Sequence, residues 1–219
     1  MGTITRSFAN NITTSGVLLP ASLNNNSIAN VTSYNAAVAT GNMVLISSQT
    51  ASASASISFT TGIDSTYKEY QFWFINMHPS INSHFTFNLS TDNGSNYNVT
   101  KTTTDFGAYH TEDDTSTLLG YDDVSDLAQS TSFQRITSHG GINTGNDECI
   151  SGSLQLFNPA STTYVKHFIS NANHVHASLY SINSFMAGYG NTTSAVNAVQ
   201  FKFASGNIDD GTILMFGIK

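Results

Sequence analysis

Residues 50–79 read TASASASISFTTGIDSTYKEYQFWFINMHP, and the fold turns on them. Ala and Ser alternate through Ser56, and aromatic residues crowd the far end. In an extended chain, successive side chains point to opposite faces. That period places Ala51, Ala53, Ala55, Ile57 and Phe59 on one face and Ser52, Ser54, Ser56, Ser58 and Thr60 on the other. A helix competes, because Ala is the best helix former, but a 3.6-residue period mixes Ser into the apolar stripe. A strand is expected, with a thin apolar face against a second layer and hydroxyls toward water or a neighbouring chain. YQFWFINM (70–77) is apolar on both sides, Tyr70, Phe72 and Phe74 on one and Trp73, Ile75 and Met77 on the other. It reads as a central strand or one covered by another subunit.

Working outward, HFTFNLS (84–90) alternates with Phe85, Phe87 and Leu89 inward. Asn93-Gly94 then signals a hairpin into YNVTKTT (97–103). GSLQLF (152–157), TYVKHFI (163–169), NAVQFKF (197–203) and GTILMFGIK (211–219) are further strands, the last two reading as a terminal hairpin or meander. DVSDLAQSTSFQ (123–134) suggests a short helix capped by Ser125. No period recurs, which argues against solenoids and propellers. The fold class expected is all-β: an antiparallel, jelly-roll-like β-sandwich over residues 50–219. Residues 1–49, rich in Asn, Ser and Thr with only Phe8 and Tyr34 as aromatics, form an extended arm needing a surface to lie on, with a disordered leader as the alternative for residues 1–20.

Composition narrows the function. Charged residues make up only 10% of the chain, against roughly 25% in ordinary domains. Fourteen Phe, nine Tyr and one Trp supply a substantial core. A net charge of −7, with the seven Lys and Arg scattered, argues against nucleic-acid binding. No apolar run is long enough to span a membrane, and MGTITRSFANN lacks an export region, so synthesis in a cytosol without a signal peptide is expected. Cys149 is the single cysteine, which rules out an intrachain disulfide.

Chemistry-bearing clusters are few. Asp105, Glu112, Asp113, Asp114, Asp122, Asp123 and Asp126 read as a solvated acidic loop or, alternatively, a site for a hard cation, though without the spacing of an EF-hand. His174 and His176 share a face in an extended segment and could meet one metal, with His167 or symmetry copies adding ligands; otherwise no cofactor is expected. Tyr109 and Tyr121, beside the acidic stretch, are candidate glycan contacts, whereas Trp73 is set aside because its strand reads as core. No nucleophile elbow, zinc-protease helix or phosphate loop occurs, so no enzyme is expected.

The stretch 50–79, LFNPASTTYVKHF (156–168), AVQFKFASGNIDDGTILMFGIK (198–219) and the opening ITRSFANNITTSG (4–16) resemble a recurrent family of structural proteins in tailed bacteriophages of marine bacteria. The resemblance implies a virion component, head-surface or fibre-like, and carries no catalytic motif. The function expected is capsid-surface decoration through the N-terminal arm, in a homo-oligomer, a trimer by symmetry of such positions, bound to major capsid or tail proteins. The alternative is a tail-fibre or receptor-binding module that recognises host surface glycan.

Overall fold

Unequal sheets define the architecture. The computed structural model describes residues 42–219, whose strands are β1 (Met43–Thr50), β2 (Ile57–Phe59), β3 (Glu69–Pro79), β4 (Phe85–Ser90), β5 (Lys101–Thr111), β6 (Thr117–Tyr121), β7 (Gln134–Arg135), β8 (Ile150–Phe157), β9 (Lys166–His176), β10 (Tyr180–Gly190), β11 (Ala198–Phe203) and β12 (Ile208–Ile218). One sheet runs β1-β12-β3-β8-β9-β10-β5-β6 and the other β2-β11-β4-β7. All pairings are antiparallel.

The connectivity is that of a jelly roll. Strands β1 to β4 alternate between the sheets and are matched by β12, β11, β8 and β7, in the pairs β1·β12, β2·β11, β3·β8 and β4·β7. This is a long antiparallel ribbon wrapped around a core, a fold that buries both inner faces at once. Two insertions widen it. The β5–β6 pair lies between β4 and β7, and the β9–β10 hairpin between β8 and β11; both join the larger sheet beyond β8.

This wrapping overturns several local expectations. The Ala/Ser stretch is not one strand: residues 51–56 carry the chain from β1 in the large sheet to β2 in the small one. Ala53 sits at φ +50°, and Ala53 and Ala55 are exposed, so only Ala51, Ile57 and Phe59 reach the core. Small residues suit this bend because they follow the bulged start of β12, with Ala51 N–H donating to Gly211 O, Ala53 N–H to Asp209 O and Ser54 N–H to Ile208 O. Residues 43–49, placed in the arm by composition, instead form with Thr50 an edge strand of the sandwich. The rest of the expected arm, with its docking, falls outside the described residues.

Asn93 and Gly94 do turn the chain with positive φ values of 59° and 84°, but the strands they join lie in different sheets. The same holds for β11 and β12, so neither is a ladder hairpin. Residues 123–134 form turns rather than a helix, because Asp122 accepts bonds from the Val124 N–H and the Ser125 hydroxyl and closes the backbone locally. In β3, Asn76 at φ +50° breaks alternation opposite β8, which turns Met77 into the core while Trp73 and Ile75 point outward.

Phe201, on the central strand pair of the small sheet, is the hub of the core. Its ring lies 5.2–6.3 Å, centroid to centroid, from Phe59, Phe72, Phe74, Phe85 and Phe87, which come from both sheets. Such a site has no neighbour able to refill it. Phe201→Ala is expected to cost about 3–5 kcal/mol, read as a lower denaturation midpoint with an unchanged denaturant slope.

Candidate functional site

Beyond β8 the large sheet outruns the small one, and the segment between β6 and β8 covers its inner face instead. Gly107 on β5 permits that contact: a Cβ there would lie 2.4 Å from Ser138 Oγ and 2.8 Å from His139. Polar bonds fasten the cover. Ser138 donates through its amide (2.9 Å) and hydroxyl (2.7 Å) to Ser184 Oγ. Thr103 Oγ1 donates to Gln134 Oε1 (2.7 Å) and accepts from Leu127 N–H (2.8 Å). The result is a buried polar layer rather than an aromatic one.

Its ionisable groups are strongly perturbed. Asp105 is fully buried and neither carboxyl oxygen has a hydrogen-bond partner in the protein. Burial, then the charges of Asp122 and Asp126, push its pKa up to about 8. Asp122 is the contrast: burial works against its charge, but bonds from His139 N–H, Ser125 and Val124 hold it below the usual range. His174 is fully buried, without a partner at either ring nitrogen, and burial, with His176, His84 and His139 nearby, lowers it to about 3. His84, bonded through Nδ1 to Thr137 Oγ1, is lowered to about 4 by burial and then by Arg135. Burial thus favours the neutral forms of Asp105, His84 and His174, while the donors around Asp122 favour its carboxylate.

His174 and His176 are brought together by β9, but His167 is not. They share the inner face, His176 stacking on Tyr180 at 5.2 Å, but His167 stands on the opposite face beside Tyr189. His174, being enclosed, cannot meet a symmetry copy. Among the described residues no three His, Cys, Asp or Glu side chains converge as metal ligands. The acidic stretch is likewise dispersed: Asp105 points inward, Asp113 caps Thr115, Asp114 meets His110 at 2.9 Å and Asp126 accepts from Tyr121. Tyr109 and Tyr121 do not share a platform. Tyr109 stacks on Tyr180 and meets His139 edge-on on the inner side, whereas Tyr121 is outward and 54% exposed. Cys149 lines a surface depression with His78 and Asp209, yet burial raises its thiol pKa, the wrong direction for a nucleophile.

The outer face of the large sheet is the feature that stands out. One row, Ser48–Leu214–Trp73–Ser153–Asn171–Phe185–Phe106–Tyr121, crosses all eight strands. The rows on either side hold Leu45, Phe216, Ile169, Ile75 and Leu119 among Gln, Asn, Thr and Ala. None of the three contains Lys, Arg, Asp, Glu or His. Trp73 rests on Phe216 at 4.8 Å, and Phe106 stacks on Phe185 at 5.0 Å with a 10° tilt. Trp73, Ile75, Phe106, Leu119, Tyr121 and Ile169 are all exposed there. Trp73 is thus a surface residue, not core. Sequence reading missed β10 and, with it, the Phe106–Phe185 pair; the signal was the alternation Asn183, Phe185, Ala187, Tyr189, masked by small and polar residues on both faces.

No protein-family model matches the chain, and neither curated proteins nor solved structures yield a match.

The buried layer makes stability pH-dependent. His84 and His174 have folded pKa values below their unfolded 6.5, so their contribution is present above that pH and lost as pH falls toward 4 and 3. Asp105, raised above its unfolded 3.8, contributes below that value and loses it as pH rises through 8. Two histidines outweigh one aspartate between pH 4 and 6.5, so stability rises across that window with a net slope of about 1.4 kcal/mol per pH unit. Melting curves should show this limb, flattened in His174→Leu, while Asp105→Asn should gain stability relative to the parent chain at pH 8.

Proposed function

We propose that the protein is a non-enzymatic structural component of a tailed-phage particle, an assembly module that decorates the capsid surface. The observation that carries the reading is the uncharged outer face. Three rows at about 6.7 Å, across eight strands at about 4.8 Å, give on the order of 750 Å² in plan. A standard interface buries roughly 800 Å² per partner, and the face matches that scale, with exposed aromatics set among amides and hydroxyls. The occupant is another copy of this chain: a face without charges meets its like with no repulsion, even at a net charge of −7. A trimer suits three-fold positions on a head. The phage assignment itself rests on the resemblance of residues 4–16, 50–79, 156–168 and 198–219 to virion proteins. Attachment is assigned to the N-terminal arm, and repeated lattice sites reinforce weak single contacts.

Light scattering on the full chain should report an oligomer, and Trp73→Glu with Phe106→Glu should return a folded monomer, each costing about 2 kcal/mol or more of association. A parent chain that stays monomeric at high concentration refutes self-association. Deleting residues 1–20 should abolish binding to particles while leaving the sandwich's melting curve intact.

A further inference from the structure

Lys101 opens β5 in the large sheet, and Asn88 lies in β4 of the small one. Both are fully buried. Lys101 Nζ stands 2.5 Å from Asn88 Oδ1, with Val99 O at 2.8 Å as its other partner and no carboxylate in contact. Asn88 is held from all sides. Its Oδ1 also accepts the Leu89 N–H at 2.8 Å, and its Nδ2 donates to Tyr97 O at 2.6 Å and Thr131 O at 3.0 Å. The amine is therefore pressed against a carboxamide whose oxygen is polarised by a backbone donor and whose nitrogen is fixed in place.

We propose that Lys101 and Asn88 react to form an intramolecular amide bond that staples the two sheets together. In the step, the lone pair of the neutral Nζ adds to Cγ of Asn88. The developing oxyanion keeps the Leu89 N–H, as in an oxyanion hole. The Cγ–Nδ2 bond then breaks, one proton of Nζ passes to the departing nitrogen, and ammonia leaves. No oxidant, reductant or other reactant is consumed. Burial supports the step by lowering the Lys101 pKa to about 7, so that an unprotonated, nucleophilic amine is well populated in the folded state. No carboxyl group bonds to the pair to relay the proton, so the bond forms once per chain and slowly, as maturation.

Lys166 supplies an internal control. It is also fully buried, but its Nζ meets only the backbone carbonyls of Tyr164 (2.6 Å) and Thr192 (3.2 Å), where attack would cut the chain. It stays an amine. In a chain with one cysteine, and whose ion pairs among the described residues both rely on histidine, an amide staple does what a disulfide does elsewhere.

Intact-mass spectrometry of the denatured full chain, fresh and after incubation at mildly alkaline pH, tests the proposal. The expected mass is below that of the sequence by one ammonia, with a branched peptide joining Asn88 to Lys101 and no tryptic cleavage after Lys101. Both signs should vanish in Lys101→Met and in Asn88→Ala and persist in Lys166→Met. The full sequence mass at both times overturns the proposal. So does an ammonia loss that survives in Lys101→Met, which would mark a cyclised asparagine such as Asn93 before Gly94.

Discussion

An eight-stranded sheet packed on a four-stranded one cannot be covered by its partner alone, and this mismatch governs the rest of the molecule. Over β1, β12, β3 and β8 the small sheet closes the core with interlocking phenylalanines. Over β9, β10 and β5 the small sheet reaches only one end, where Phe87 meets Phe168 and Asn88 meets Lys101, and toward the other end the cover is loop. Loops carry backbone donors and acceptors that must be matched when buried, so where the loop is the cover the strands present Asp105, Ser184 and His174 rather than aromatics. The polar layer is the consequence of widening a jelly roll on one side only. Its perturbed carboxyl and imidazoles follow from burial.

The same widening produces the outer face. A four-stranded sheet twists away from itself and offers a narrow strip, whereas the added β9–β10 and β5–β6 strands extend one set of rows from Ser48 to Tyr121. Aromatic side chains recur along them at Trp73, Phe185 and Phe106, with amides and hydroxyls between. That mixture matters before assembly. A purely aliphatic face of this size invites aggregation, while Ser153, Asn171 and Gln155 keep the free chain wetted and are able to bond across a contact once it forms.

The fold was legible where period two ran uninterrupted. Phe85, Phe87 and Leu89, and the strands at 152–157, 197–203 and 211–219, stood out because one face is buried in aromatic core. What a single sequence conceals is which strands pair. Asn93-Gly94 turns the chain by local dihedral preference, yet a jelly roll sends the next strand to the other sheet, and nothing within six residues encodes that choice. The Ala/Ser stretch misled for a related reason. Alternation of small residues satisfies a strand pattern, but it equally suits a bend where bulky side chains would collide with the bulged β12. The site was less legible than the fold. His174 and His176 were placed on one face correctly by period, but whether that face looks at a metal, a neighbour or a loop depends on the covering segment 122–142, which has no period at all.

Sheets of this width must also avoid growing by strand addition, and the two edges of the large sheet are treated accordingly. At one end β1 is interrupted by a bulge between Leu45 and Ser47, which twists the edge away from a flat template. At the other end β6 is only five residues long and runs into Asp122 and Asp123, a short and acidic border of the kind that blunts an edge. Edge pairing is thereby disfavoured while the broad face is left uncharged. The two features together favour contact through the face over contact through the edge, and contact through the face closes into a finite oligomer whereas edge pairing propagates. The proposed role on a particle would need that distinction, and in this chain it is made by one bulge, one short strand and the absence of charge along three rows of side chains.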